Sequence, residues 1–456
     1  MPDILIKNTK VFYKNYLQPG EIVIEDGKIK KIGKDIRLSN VDRVIDAKGG
    51  LTIPSGIDAH VHFREPGLTY KEDWFTGSCS AAAGGITTVI DHPNTVPATI
   101  DRKSFNSKLR IARRKCIVDF GINGGVCKNT EKLSELWELG VTAFGEIFMA
   151  ESTGELNIGS DTLNHALEII HDLGAVACIH AENESMRLKN QKLLKDDMSA
   201  MSHSRERPNM CEAVAVEQAL KMLQAHLMRA HFCHISTREG LGLIRREKYI
   251  SQKSGEMNIT CEVAPHHLFL STKDWDRLGS FGKMNPPLRD RSSVKILLNS
   301  LNDGTVDMVA SDHAPHLEHE KDVDIKSAPS GVPGVETLMP LMLAAVKKNL
   351  LPLGRMIEVT STNPASIFGL DRHCKGKFAE GFDADLIIVN HGEMVPVSAD
   401  NLHSKAGWTP YEGMDAIFPD ITISRGEIIW DGEIVGKRGR GKFLPGKGYA
   451  MDIESP

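Results

Sequence analysis

GIDAHVHFREPG, residues 56–67, places two histidines two apart, and an arginine two further on, directly behind a short apolar run. That run, SGIDAH (55–60), is the first of eight strand-like segments. The others are ITTVID (86–91), IVDFGI (117–122), VTAFGE (141–146), AVACIH (175–180), RAHFCHIS (229–236), NITCEV (258–263) and VDMVASD (306–312). Helical patterns fill several of the gaps. Asp161 is placed to cap a helix whose Leu163, Ala166, Leu167 and Ile170 share one face and which Gly174 ends, and Glu212 to His226 reads the same way. Eight strands joined by right-handed helical crossovers predict a closed parallel (β/α)8 TIM barrel, with an open doubly wound sheet as the alternative.

The two ends read differently. ILIKNTKVF, EIVIEDGKIKKIG and RVIDAKG at the front, and DADLIIVN, ITISRGEIIW and DGEIV at the back, are strand-and-turn sequences, with Asp26-Gly27 and Asp431-Gly432 as hairpin signals. They predict one small β-sandwich domain built from both termini, residues 1–53 and 371–456, around a catalytic barrel of residues 54–370. The polar stretch from His316 to Pro333 predicts a long loop over the barrel mouth.

Composition narrows the function. A chain of 456 residues, 41% hydrophobic and 25% charged, has ample core, and a net charge of -5 without a basic run argues against nucleic acid or a membrane surface as partner. A small molecule is the expected partner. Eight cysteines without a CxxC pair, and an N-terminus without a signal-peptide core, predict a reducing cytoplasm.

In such a barrel the functional side chains stand at the C-terminal ends of the strands. Five of the eight ends carry a metal-ligand type: His60 and His62, Glu146, His180, His234 and Asp312. A lone histidine beside an apolar run is usually a core or surface residue; ligand types at five strand ends in one frame are not. Four imidazoles and two carboxylates suit zinc and similar divalent ions, and two ions can share them if a carboxylate bridges.

These residues resemble the cyclic amidohydrolases and, within them, the class I dihydroorotases. The resemblance covers nearly the whole chain and rests on DAHVHFREPG, DHPNTVP (91–97), CEVAPHHLFLS (261–271), NPPLR (285–289), SDHAPH (311–316), GVPGVETLMPL (331–341) and SKAGWTPYEG (404–413). It implies reversible, metal-dependent interconversion of dihydroorotate and N-carbamoyl-L-aspartate in de novo pyrimidine (UMP) biosynthesis. By motif, His60, His62 and Asp312 would hold one Zn2+ ion, and His180 and His234 the other. A metal-bound hydroxide would be the nucleophile and Asp312 the general acid/base. Arg64 would meet the substrate carboxylate, with Asn94, Asn285 and His316 completing the pocket. Two other readings stay open: another cyclic amidohydrolase (hydantoinase or allantoinase), or a non-catalytic dihydroorotase-like scaffold for aspartate transcarbamoylase. The resemblance is equally compatible with a homo-oligomer or a complex with that enzyme.

The chain departs from the family in VTAFGEIFMAES (141–152), which holds no lysine where many amidohydrolases carry one that becomes carboxylated. Aligned from the following IFMA, Glu146 occupies that position; aligned from the preceding residues, Gly145 does. The expectation is an unmodified Glu146 bridge, which needs a slight shift of strand four, with Glu151 as fallback ligand. Cys233 and Glu262 lie near strand ends too, and either hold an extra metal or, for Glu262, orient a ligand histidine. His266 and His267 read as supporting groups or loop anchors.

Overall fold

The structure is a computed structural model that describes residues 3–449 apart from 15, 39, 153–155, 227, 255–257 and 391, so the outermost residues of the assigned small domain lie outside the described ones. Eight parallel strands form the centre: β1 (Gly56–Val61), β2 (Ile86–Asp91), β3 (Asp119–Ile122), β4 (Phe144–Phe148), β5 (Ala177–His180), β6 (Arg229–Phe232), β7 (Asn258–Val263) and β8 (Met308–Val309). The ladders run β1–β2–β3 and β4 to β8. Isolated parallel bridges join the two sets, Gly124 to Phe144 on one side and Val61 to His313 on the other, so the sheet closes. This is a TIM barrel, and the open-sheet alternative falls.

Helices follow the strands and bury their apolar stripes against them. In Ser160–Asp172 the buried residues are Leu163, Ala166, Leu167 and Ile170, the face that the sequence spacing marks. Asp161 is not the cap: Gly159 takes that position, and Asp161 sits in the first turn, where its charge complements the helix dipole.

The two termini meet in one sheet. Its order is Glu427–Trp430, Ile421–Ser424, Leu386–Val389, Leu51–Pro54, Ile4–Tyr13, Tyr16–Glu25, Lys28–Gly33, with Arg43–Asp46 also pairing the Ile4–Tyr13 strand. Leu386–Val389 runs antiparallel to Leu51–Pro54, which joins the front of the chain to its back. The far edge returns: Ile29 N–H donates to Phe382 O (2.9 Å) and Ala384 N–H to Gly27 O (2.9 Å). One hydrogen-bonded sheet therefore folds over its own core, which Ile6, Ile22, Ile24, Ile29, Leu386, Ile388 and Ile423 share. ITISRGEIIW forms two strands, turned at Arg425-Gly426 with both φ positive (48° and 74°), while DGEIV makes only a single bridge, Trp430 to Ile434.

A buried ion cluster ties this sheet to the barrel. Lys375 Nζ lies 2.5 Å from Asp119 Oδ2 on β3, 2.9 Å from Asp383 and 2.8 Å from Asp385, and Arg425 Nε lies 3.1 Å from Asp119. Between the strands of the small sheet, residues 395–418 cross to the barrel mouth. There Trp408 donates its indole N–H to His316 O (2.8 Å), Lys405 pairs with Asp73 (2.7 Å), and Ser404 donates to Glu72 (2.6 Å). Among the described residues, no helix is long and apolar enough to cross a membrane.

Candidate metal centre

Glu146 stands between two groups of donors. Its Oε1 lies 2.7 Å from His234 Nε2 and 3.2 Å from His180 Nδ1; its Oε2 lies 3.4 Å from His60 Nε2 and 3.6 Å from His62 Nε2. Asp312 Oδ1 is 3.1 Å from His62 Nε2 and 3.6 Å from His60 Nε2. All six side chains are buried. The donor atoms of His60, His62 and Asp312 converge within 4.8 Å, as do those of Glu146, His180 and His234.

What brings Glu146 between the groups is an extra residue in β4. Ala177 of β5 pairs with Phe144, but Ile179 pairs with Ile147, so two steps along β5 match three along β4. This is a β-bulge at Gly145-Glu146, the one-residue offset that leaves the sequence alignment ambiguous. Gly145 has φ +143°, and a Cβ there would lie 2.4 Å from Cys178 O, so only glycine fits. Glu151 points elsewhere: it is exposed and pairs with Arg187 (2.8 Å), which removes it as a fallback ligand.

The far nitrogens of three imidazoles are held in place. His60 Nδ1 meets Glu262 Oε1 (2.5 Å), His62 Nδ1 meets Asn94 Oδ1 (2.6 Å), and His180 Nε2 meets Glu182 Oε2 (3.1 Å). Such partners fix tautomer and ring orientation. Glu262 is itself shared with His231 Nε2 (3.1 Å), so its bond to His60 is the orienting role. Cys233 lies near His60 and Glu262, a third group of donor types.

Burial would raise Glu146, yet the charge of His60 and hydrogen bonds from His180 and His234 hold it well below the usual carboxylate range. Burial would lower His60, yet Glu262 and Glu146 raise it well above the usual imidazole value. The cluster is built to hold positive charge, protons or metal in competition. His60 Nε2 is buried without a hydrogen-bond partner among these donors, as a ligand awaiting an ion is. The nitrogen and carboxylate set fits divalent ions of the zinc kind.

Above this cluster is a small cavity lined by His62, Arg64, Asn94, Glu146, Ser152, His180, Asn285, Asp312, Ala314, Ser330 and Gly331. Arg64, His234 and Asp312 all have positive φ (61°, 29° and 49°), a concentration of strained backbone typical of functional sites.

The sequence profile of the Amidohydrolase family matches residues 51–425. The chain belongs to the amidohydrolase family. It is 66% identical to a protein named dihydroorotase from Methanosarcina acetivorans over 98% of this chain and 96% of that one, and 66% identical to another from Methanosarcina mazei over 98% and 99%. Among solved structures, an L-hydantoinase (dihydropyrimidinase) from Arthrobacter aurescens superposes with a TM-score of 0.93 at 30% identity, covering 98% of this chain and all of that one.

Within this amidohydrolase the structure gathers nearly every residue singled out by sequence. Arg64, Asn94 and Asn285 line the cavity; Asn285 Nδ2 donates to Ser152 Oγ (3.1 Å) and its Oδ1 is buried without a partner. His316 stands behind that wall. Its Nδ1 accepts from Lys71 Nζ (2.9 Å), its Nε2 donates to Ser330 O (3.1 Å), and Arg64 lies 3.3 Å away. His267 anchors the NPPLR loop through Pro286 O (3.0 Å). Sequence reasoning missed Glu182 and His92. Glu182 pairs with Arg207 and stands two residues past His180, the same i, i+2 spacing as His60 and His62. His92, at the end of β2, stacks on His60 with ring centroids 4.0 Å apart.

Proposed function

We infer that this amidohydrolase is a dihydroorotase, opening dihydroorotate to N-carbamoyl-L-aspartate and closing it again. The observation that carries the reading is Arg64, a buried guanidinium lining the same small cavity as Glu146, His180 and Asp312. Burial lowers it to about 10, with Asp312 and Asp91 opposing, so it is cationic at neutral pH. A neutral cyclic amide such as a hydantoin would leave that charge facing no carboxylate; dihydroorotate supplies one. The 66% identity to proteins named dihydroorotase supports the same substrate.

His60, His62 and Asp312 would hold one divalent ion, His180 and His234 a second, and Glu146 would bridge them, zinc being the ion this donor set suits. Bound there, such ions polarise a carbonyl and acidify water. The chain's own groups do the rest. Arg64 fixes the substrate carboxylate, and Asn94 and Asn285 offer amide groups to the ring. The Asp312 carboxylate takes the proton from the attacking water and returns it to the ring nitrogen as the C–N bond breaks; ring closure reverses each transfer. All eight cysteines are free thiols, which supports work in a reducing cytoplasm.

The test is purified protein assayed for dihydroorotate hydrolysis in carbonate-free buffer with metal content measured alongside. Two divalent ions per chain and turnover indifferent to added bicarbonate are expected. Glu146→Ala should lower kcat by about a thousandfold or more and lose bound metal. Full activity in that variant, or a requirement for bicarbonate, overturns the Glu146 bridge.

A further inference from the structure

Lys321 closes the short helix Glu318–Lys321 in the loop after β8, and its side chain is fully buried. Nζ donates to three carbonyl oxygens: Lys283 (2.9 Å), Pro329 (2.9 Å) and Gly331 (3.1 Å). Three acceptors need three N–H donors, which an ammonium has and a neutral amine lacks. The Trp408 ring lies 5.5 Å away, and Trp408 also holds His316 O, so the GWTPYEG segment and the loop after β8 meet at this lysine. Among the described residues no carboxylate pairs with it, whereas its neighbour Lys71 pairs with Glu320 (2.8 Å). Burial and the neighbouring charges of Lys283, Arg64 and Lys71 push the Lys321 pKa well below the ordinary lysine value, and the three carbonyl acceptors oppose that shift.

The acceptors explain what it does there. Ser330 and Gly331 line the substrate cavity. Their carbonyls, and that of Pro329, are drawn off: two to Lys321 and the Ser330 oxygen to His316. Turned the other way, these oxygens would present lone pairs to an anionic substrate.

We propose that Lys321 is a positioning residue for anion selectivity. It draws off the Pro329 and Gly331 carbonyls, so that their lone pairs do not face the carboxylate that Arg64 binds. The inference rests on the dihydroorotase reading and adds a residue that lets the Ser330–Gly331 wall tolerate a carboxylate.

The test compares wild type with Lys321→Met and Lys321→Gln, measuring kcat and KM for dihydroorotate, metal content, and the rise in melting temperature with N-carbamoyl-L-aspartate. Lys321→Met should raise KM about tenfold or more with kcat within about threefold, metals unchanged and the product-induced stabilisation lost. Lys321→Gln keeps two donors without the charge, and its KM should fall between. A KM within about twofold of wild type in either folded variant, or a loss confined to kcat, overturns the role. If Lys321→Met does not fold, Lys321→Gln decides alone. A wild type without dihydroorotate turnover overturns the proposed function and this role together; wild-type turnover with unchanged KM in the variants overturns only the role.

Discussion

Arg64 shows how much one residue's surroundings decide. Its Nε donates to Pro315 O (3.2 Å), which pins the stem and leaves the fork of the guanidinium beside the cavity. Arg64→Met should therefore raise KM for dihydroorotate by about thirtyfold or more while metal content stays that of wild type, and Arg64→Lys should recover only part, because a point charge cannot make two parallel bonds. Unchanged kinetics would remove Arg64 from substrate binding. At this scale the donors were legible only together: His180 or His234 alone reads as an ordinary residue, and ligand types at five strand ends in one frame are what mark them. The groups that steady them were not. Glu182 reaches His180 from two residues on, but it matters through Arg207, and His92 matters by stacking on His60 from a neighbouring strand. Both relations depend on how strands pair.

The bulge in β4 belongs to the scale of the element. A strand without it would carry the residue after Gly145 one step lower and on the other face, away from both donor groups. Gly145→Ala puts a methyl into the Cys178 carbonyl at a backbone angle that side chains avoid. The expected result is activity lowered by about a hundredfold or more, with metal lost, as measured by turnover and metal analysis of the purified variant. A fully active, metal-loaded variant would show that the bulge does not place Glu146. Sequence made the existence of this strand plain and its extent less so, since apolar runs mark what is buried while ladders mark what is paired. VDMVASD reads as seven residues of strand and pairs over Met308–Val309 alone.

For the molecule as a whole, the joint between barrel and small sheet is ionic. Burial would raise Asp119, but the charges of Lys375 and Arg425 outweigh it and hold this carboxylate below its ordinary 3.8. A depressed carboxylate contributes stability above that ordinary value and loses it as pH falls through the lower folded value. Acid unfolding should thus weaken this joint below about pH 4, and Lys375→Met, which takes the ammonium from Asp383 and Asp385 and leaves Asp119 with Arg425 alone, should cost about 3–5 kcal/mol in denaturant melts at neutral pH. A loss under about 1 kcal/mol would show that Arg425 alone suffices. The barrel and the meeting of the termini were legible at this scale, because eight apolar runs and two strand-rich ends are global patterns. The crossing of residues 395–418 to the mouth was not: it is mostly irregular backbone, whose Val397, Trp408 and Tyr411 pack into an apolar cluster that no local period announces.

That crossing sets an order in time. A ribosome makes residues 395–418 only after every proposed metal donor has already emerged, and the strand Leu51–Pro54 waits for Leu386–Val389, more than three hundred residues later, before its edge is covered. A nascent chain stopped short of Trp408 would own the whole reactive cluster and still lack the brace behind His316 and Lys321. The wall that would hold substrate is therefore braced later in synthesis than the donors are made.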